Sequence, residues 1–308
     1  MKIVFMGTPD FAVNVLQGLI DNYEVSLVVS QPDKMVGRHR ELVNTPVKEL
    51  AIKYNIDVFQ PEKIKDNYKT ILDYKPDLII TCAYGQIIPK ELLDYPKYGC
   101  INVHASLLPK LRGGAPIHKA LIDGYEKTGI TIMYMDEKMD SGDIIKQEEV
   151  IIEDSDNLES LYNKLSLLGS KLLIDTLPSI IAGTNDRIKQ DEKEVTYAFN
   201  IKREEERINF NLESRAIFNL VRGLSPIPAA NALFDDKEMK IYNCTILDKK
   251  YSGQCGEIVD VIKTGIVVKT LDGAIVLGDI KPFGKKRMDS YSFVNGIGKD
   301  KIIGKVFE

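Results

Sequence analysis

Lys2-Ile3-Val4-Phe5-Met6-Gly7-Thr8-Pro9-Asp10-Phe11-Ala12 opens the chain and decides its fold class. An apolar run ending in Gly-Thr-Pro reads as a buried strand stopped by a turn. Thr8 or Asp10 is placed to cap the helix that follows. Phe11, Val15, Leu16 and Leu19 fall on one side of a helix over residues 10–21. Glu24-Val25-Ser26-Leu27-Val28-Val29-Ser30 is a second strand. Strand, helix and strand at this spacing form a βαβ unit and predict a parallel sheet. The turn holds one glycine and a proline where a dinucleotide fingerprint needs G-x-G-x-x-G, which counts against a nicotinamide enzyme.

The alternation continues outward. A helix is expected over 45–54, a short strand near 57–59 and a helical stretch up to residue 73. Pro76-Asp77-Leu78-Ile79-Ile80-Thr81-Cys82 is the unbroken apolar strand of a buried parallel sheet. Another strand spans 99–104, and a helix spans Ala115–Asp123. Strands over 128–135 and 144–152, joined by the acidic turn Asp136–Asp143, are expected to pair antiparallel. In a long helix over 157–182, Leu158, Leu161, Leu165, Leu168, Leu172 and Leu173 make a core stripe. The polar stretch after it is expected to link two domains, 1–183 and 208–308, with 184–207 between them. The second holds a helix over 213–223 and strands over 239–247, 254–262, 265–270 and 274–281, the spacing of a small β-barrel. The fold class is α/β: a Rossmann-like, mostly parallel sheet with helices on both faces, followed by the barrel domain.

With 308 residues, 44% hydrophobic and 28% charged, the chain has an ordinary globular composition and length for two cores. No apolar run approaches the roughly 20 residues of a membrane span. The amino terminus is too soon broken by Gly7 to be a signal peptide. A cytoplasmic protein without a membrane partner is expected. Cys82, Cys100, Cys244 and Cys255 lack C-x-x-C spacing and there are only three histidines, so no metal site is expected. The net charge of −4 argues against a general nucleic-acid binder, but residues 200–308 carry 18 Lys and Arg against 15 Asp and Glu. A mildly basic second domain can meet a polyanion locally.

Cys100-Ile101-Asn102-Val103-His104-Ala105-Ser106-Leu107-Leu108-Pro109 carries the chemistry. Asn102 and His104 are two apart and leave one face of a strand. Alone, His104 reads at least as well as a buried core histidine. Asp140, in the later acidic turn, completes an amide, base and carboxylate set if that turn folds over the same crevice. The carboxylate would then fix the imidazole tautomer and raise its basicity. No serine or cysteine beside His104 is an obvious nucleophile, which favours direct acyl transfer to an amine. The loop Ala83-Tyr84-Gly85-Gln86-Ile87-Ile88-Pro89 follows a strand's carboxyl end, where open α/β sheets bind ligands. Lys34, Arg38 and Arg40 lie in a polar loop that would suit phosphates or serve only as a connector. Lys281, Lys285, Lys286 and Arg287 cluster near the end of the chain.

Asn102–Pro109, with Met139-Asp140-Ser141-Gly142-Asp143, resembles the folate-dependent formyltransferases. The likeness takes in Phe5–Ala12, Gln31-Pro32-Asp33 with Gly37-Arg38, Arg112-Gly113-Gly114-Ala115-Pro116-Ile117, Thr128–Met133 and Pro282-Phe283-Gly284-Lys285-Lys286. It covers essentially the whole chain. The resemblance implies 10-formyltetrahydrofolate as formyl donor and no metal. It implies the α-amino group of methionyl-initiator tRNA as acceptor, with the amino sugar of a nucleotide sugar as the alternative. Asn102, His104 and Asp140 match the family's catalytic positions. Ser106, Leu107, Leu108 and Pro109 match its folate-contacting run, and Tyr84, Gly85, Gln86, Ile87, Ile88 and Asp136 its pterin walls. Arg38 matches the arginine of a loop directed at the tRNA acceptor end, and Lys34 and Arg40 lie in the same loop. Lys285, Lys286 and Arg287 lie in a C-terminal domain that is OB-like in this family and contacts tRNA. A monomer is expected. The chain departs from the family in lacking tryptophan, with Ser225-Pro226-Ile227-Pro228 where an aromatic is common.

Overall fold

A computed structural model gives the architecture; it describes residues 1–37 and 41–308. The first elements follow the sequence pattern: β1 (Ile3–Gly7), α1 (Asp10–Asn22) and β2 (Val25–Val29). The cap of α1 does not. Thr8 Oγ1 donates to the Tyr84 carbonyl at 3.3 Å and accepts from Gln31 N at 3.2 Å, tying three strand-end loops together. The helix start is capped at long range, because Phe11 N–H donates to Tyr162 Oη at 2.6 Å.

Within the polar loop expected over 31–40, Lys34–Val36 forms a strand, β3, paired antiparallel with β4 (Glu41–Val43) just beyond it. Arg38 and Arg40 lie outside the described residues. The chain continues through α2 (Pro46–Lys53), β5 (Val58–Phe59), α3 (Ile64–Asn67), α4 (Lys69–Asp73), β6 (Leu78–Cys82), α5 (Lys90–Leu93) and β7 (Cys100–His104). After α6 (Pro116–Ile122) come β8 (Lys127–Tyr134), β9 (Ile144–Ile151) and α7 (Leu158–Ala182). Seven strands form one sheet in the order β5-β2-β1-β6-β7-β8-β9. The first five are parallel, and β8 and β9 add an antiparallel edge. Every residue of β1 and β6 is buried, as strands covered on both faces require. On one face Val4, Met6, Leu27, Val29 and Ile79 pack with Ile64, Ile71 and Leu92 from the short helices.

Leu161, Leu165, Leu172 and Leu173 of α7 are fully buried, and Leu168 is half-buried. By length and composition α7 is also long and apolar enough to cross a membrane, although polar residues interrupt its apolar run. Its leucine face is a core face. Leu172→Ala is expected to cost about 2–5 kcal/mol of unfolding free energy, the usual range for a buried leucine. Denaturant unfolding checks this, and a loss below about 1 kcal/mol would take Leu172 out of the core.

The chain divides into two compact units. One comprises Met1–Pro116, Lys127–Ile151 and Tyr162–Phe199; the other comprises Ile117–Glu126, Ile152–Leu161 and Asn200–Glu308. The spans read from the sequence were contiguous, whereas each unit is assembled from separate segments. The stretch expected as a linker divides after Phe199. Its first part is held on the first unit by bridges between Ile188 and Ile144 and between Tyr197 and Arg112.

The second unit holds α8 (Ser214–Leu224) and eight strands: β10 (Ala230–Phe234), β11 (Lys237–Ile241), β12 (Cys244–Leu247), β13 (Ile258–Ile262), β14 (Gly265–Lys269), β15 (Ala274–Leu277), β16 (Asp279–Pro282) and β17 (Met288–Asp289). They make two four-stranded antiparallel sheets, β10-β11-β16-β17 and β12-β15-β14-β13. β11 runs into β12 and β15 into β16 at one corner. There Gly278 N–H donates to the Asn243 carbonyl at 3.1 Å and Asp279 N–H to Asn243 Oδ1 at 2.8 Å. Strands that pass from one sheet to the next enclose a shared core between the two sheets, here filled by Ile217, Val221, Ile241, Ile258, Ile275 and Leu277. A last helix, α9 (Ser290–Ile297), was not read from the sequence. It is capped by the Asp289 side chain, which accepts from Ser292 N–H at 2.7 Å.

Candidate active site

β7 lies between parallel β6 and antiparallel β8, with Asn102 opposite Thr81 on one side and Met133 on the other. Period-2 alternation sends Asn102 and His104 from the same face. The Thr81 hydroxyl donates to Asn102 Oδ1 at 2.9 Å. That bond orients the amide and leaves Nδ2–H to donate elsewhere. His104 is 5% exposed. Its Nε2 stands 3.1 Å from the Leu111 carbonyl oxygen. A carbonyl only accepts, so Nε2 carries the proton and Nδ1 presents a lone pair in the neutral ring. Asp140 Oδ2 faces that nitrogen at 3.7 Å, too far for a hydrogen bond in this state. Leu111, therefore, selects the tautomer, a role the sequence reading had given to Asp140. The carboxylate is placed to stabilise an imidazolium once Nδ1 is protonated.

Asp140 has φ 50°, in the left-handed region. Its Oδ2 accepts from Gly113 N–H at 2.8 Å. Gly113 itself has φ 122°, and a Cβ there would lie 2.7 Å from the Ala198 carbonyl oxygen. A side chain at 113 would push this backbone away from Ala198 and disturb the amide that faces Asp140. At Gly142 a Cβ would lie 1.9 Å from the Tyr134 carbonyl oxygen, so the turn presses on the end of β8. Behind it, Gln190 Nε2 donates to the carbonyls of Asp140 and Gly142, both at 2.8 Å. Gln190 Oε1 accepts from Arg112 Nε at 3.0 Å and Nη2 at 2.8 Å.

The loop after β7 is built inward. Ser106 is fully buried, and its hydroxyl donates to the Lys110 carbonyl at 2.6 Å. Thr131 Oγ1 donates to the Ser106 carbonyl at 2.6 Å and accepts from Leu108 N–H at 3.1 Å. Leu108 packs with Met133 and Ile144. Leu107 and Pro109 stay half-exposed. In the loop after β6, Tyr84 and Ile88 are buried in the sheet core, and burial pushes the Tyr84 phenol up to about 12. Gln86 bonds to Ile64 N–H and Gln31, Gly85 is exposed, and Ile87 is 85% exposed. Asp136 is exposed, and its Oδ1 accepts from Glu137 N–H. A separate cavity of about 600 Å³ opens at the amino end of β7, lined by Tyr98, Cys100, Tyr134 and Arg187. It lies at the opposite end of the strand from His104.

Lys34 is exposed on β3. In the second unit Lys285 lies over the Phe293 ring at 5.4 Å, and Lys286 is exposed. Arg287 pairs with Asp279 at 2.6 Å and stacks on Tyr242 at 4.3 Å. All four cysteines are free. Burial raises the thiols of Cys82, Cys100 and Cys244, the last to about 12, as inert core residues.

Sequence reasoning placed Asn102, His104 and Asp140, and the fold brings His104 and Asp140 together. It missed Thr81, Leu111, Arg112 and Gln190. Thr81 was detectable as a polar residue inside the apolar run 78–82; Gln190, within a charged stretch, gave no signal.

Comparison with known proteins matches residues 1–177 to the formyl transferase family and 200–298 to the formyl transferase C-terminal domain. The methionyl-tRNA formyltransferase of Staphylococcus epidermidis (strain RP62A) is 50% identical over 308 residues, covering 99% of each chain. Among solved structures, WlaRD, a sugar 3N-formyl transferase crystallised with dTDP and 5-N-formyl-THF, matches with a TM-score of 0.67 at 20% identity. It covers 93% of this chain and 99% of that one. The methionyl-tRNA formyltransferase from Clostridium thermocellum matches with a TM-score of 0.56 at 20% identity, covering 81% and 95%. Both family models and end-to-end identity of one residue in two lead to one conclusion: the chain belongs to the formyl transferase family, among the methionyl-tRNA formyltransferases.

Proposed function

We propose that the chain transfers the formyl group of 10-formyltetrahydrofolate to the α-amino group of methionyl-initiator tRNA, for the start of translation. One observation carries the mechanism: His104 Nε2–H is committed to the Leu111 carbonyl, so the Nδ1 lone pair faces Asp140. The neutral amine attacks the formyl carbon. As the C–N bond forms, the formyl oxygen becomes an oxyanion, and Asn102 Nδ2–H is the donor available to it, an effect of about 3 kcal/mol. Nδ1 of His104 takes the ammonium proton, and the Asp140 carboxylate stabilises the imidazolium. Collapse of the tetrahedral centre breaks the bond to N10 of the folate. The proton passes from His104 to that nitrogen, and tetrahydrofolate leaves. Atoms and charge balance without a covalent acyl-enzyme or a metal.

Ser106–Pro109, Tyr84–Ile88 and Asp136 are assigned to the folate pocket. With Ser106 and Leu108 turned inward, the contacts of the first run fall to its backbone, Leu107 and Pro109. Free, buried thiols suit a reducing cytoplasm, where this acceptor is made. A nucleotide amino sugar is the competing acceptor: dTDP-3-aminofucose is bound in the N-formyltransferase of Helicobacter canadensis, a structural match of 19% identity against 50% for a methionyl-tRNA formyltransferase. Incubation with the donor and both acceptors decides between them. Formylated methionyl-tRNA is expected; a formylated amino sugar as main product would overturn the reading.

Lys34, Arg38, Arg40, Lys285, Lys286 and Arg287 are assigned to the tRNA backbone. Phosphate contacts position the substrate and are salt-dependent. Replacing Lys285 and Lys286 by Ala is expected to raise KM for tRNA with kcat unchanged. The slope of log KM against log salt should become shallower by about 1 per lysine. An unchanged slope would remove both from the interface.

A further inference from the structure

Asp140 carries the site's carboxylate on a left-handed turn, which aspartate reaches more readily than most residues with a side chain. Something outside the turn holds it.

The hold comes from a residue fifty positions later. Arg112 is 3% exposed, and its guanidinium offers only donors. The amide of Gln190 can therefore face it only with Oε1, at 3.0 and 2.8 Å. Its two Nε2 hydrogens then point at the carbonyls of Asp140 and Gly142, each at 2.8 Å. All four hydrogen-bonding capacities of the side chain are used, and its orientation is unambiguous. Glu192 Oε1 completes the shell around Arg112 at 2.9 Å.

The arrangement closes on itself. Leu111 O holds His104 Nε2, Gly113 N–H holds the Asp140 carboxylate, and Arg112, between them, holds Gln190. Three consecutive residues fix the base directly, the carboxylate directly and, through Gln190, the backbone that carries the carboxylate.

We propose that Gln190, seated on buried Arg112, is a positioning residue for formyl transfer: it clamps the Asp140–Gly142 turn so that the carboxylate faces His104 Nδ1. This rests on the proposed function, because the benefit is realised only when Nδ1 takes a proton.

Gln190→Met and Gln190→Glu test it in the full chain. Met keeps the length and loses every hydrogen bond. Glu keeps an acceptor for Arg112 but sets a carboxylate oxygen against two carbonyls. Both are expected to fold, with native circular dichroism, and to lower kcat about tenfold to a hundredfold, the size of a small misplacement at a reacting centre. KM for 10-formyltetrahydrofolate and for methionyl-tRNA should stay within about twofold. A kcat within about twofold of wild type in both variants, or a loss that merely follows the folded fraction, would overturn the positioning role. Wild type run alongside separates the two levels. No formylation of methionyl-tRNA by wild type refutes the function, whereas active wild type with equally active variants refutes only the clamp.

Discussion

His104→Ala is expected to lower kcat for formylation of methionyl-tRNA at least about 100-fold, the low end for acid–base assistance, with both KM values little changed. The geometry supports a large effect. His104 is nearly fully buried, one ring nitrogen is bound to Leu111 O, and the other faces a carboxylate at 3.7 Å. Among the described residues, the remaining histidine, His118, belongs to the other unit, and its ionisation is depressed by burial. Removing the imidazole leaves the ammonium proton without the acceptor that His104 Nδ1 provides. His104→Gln is the useful companion, since an amide can still donate to Leu111 O but cannot take a proton. Initial rates at saturating donor check both. Near-wild-type turnover in either variant removes His104 from the chemistry.

Asp140→Ala is expected to cost at least about 100-fold in kcat as well, for two separable reasons. The negative charge opposite Nδ1 is lost, and Gly113 N–H loses the acceptor it reaches at 2.8 Å. Alanine also tolerates the left-handed backbone at 140 less well than asparagine does. Asp140→Asn separates these effects, because it keeps an acceptor and the conformation and removes only the charge. The Asn variant should unfold at the wild-type temperature and remain slow. Wild-type turnover in Asp140→Asn would show that the charge is not needed, and recovery of stability without rate would assign the loss to chemistry.

Much of this site was legible because strand period is a local property. Asn102 and His104 had to share a face once 99–104 was read as a strand, observed as Cys100–His104. The unbroken apolar runs of β1 and β6 likewise required a sheet covered on both sides. What stayed hidden depends on residues far apart in sequence. Tyr162 caps α1 from 151 positions away, and Gln190 reaches Asp140 across 50. No window on the chain contains both partners. Leu111, which sets the His104 tautomer, acts through a backbone carbonyl, so its side chain carries no signal. The hairpin β3–β4 is two strands of three residues, and α9 is eight residues of mixed polarity; each is too short for a period to stand out. The stretch up to Phe199 looked like a linker because it is charged and lacks apolar alternation. It belongs to the first unit through main-chain bonds such as Arg112 N to Thr196 O at 2.9 Å and Ala198 N to Arg112 O at 2.7 Å.

Asn102, His104 and Asp140 together are proposed to pass the formyl group directly from folate to the amine of methionyl-tRNA. A single turnover with the donor labelled in its formyl carbon tests it most directly. The label is expected to pass from 10-formyltetrahydrofolate to N-formylmethionyl-tRNA with none on the protein at any time, and His104→Ala should slow that step itself. Label held on the protein, or label that stays on the donor when methionyl-tRNA is supplied, would contradict it.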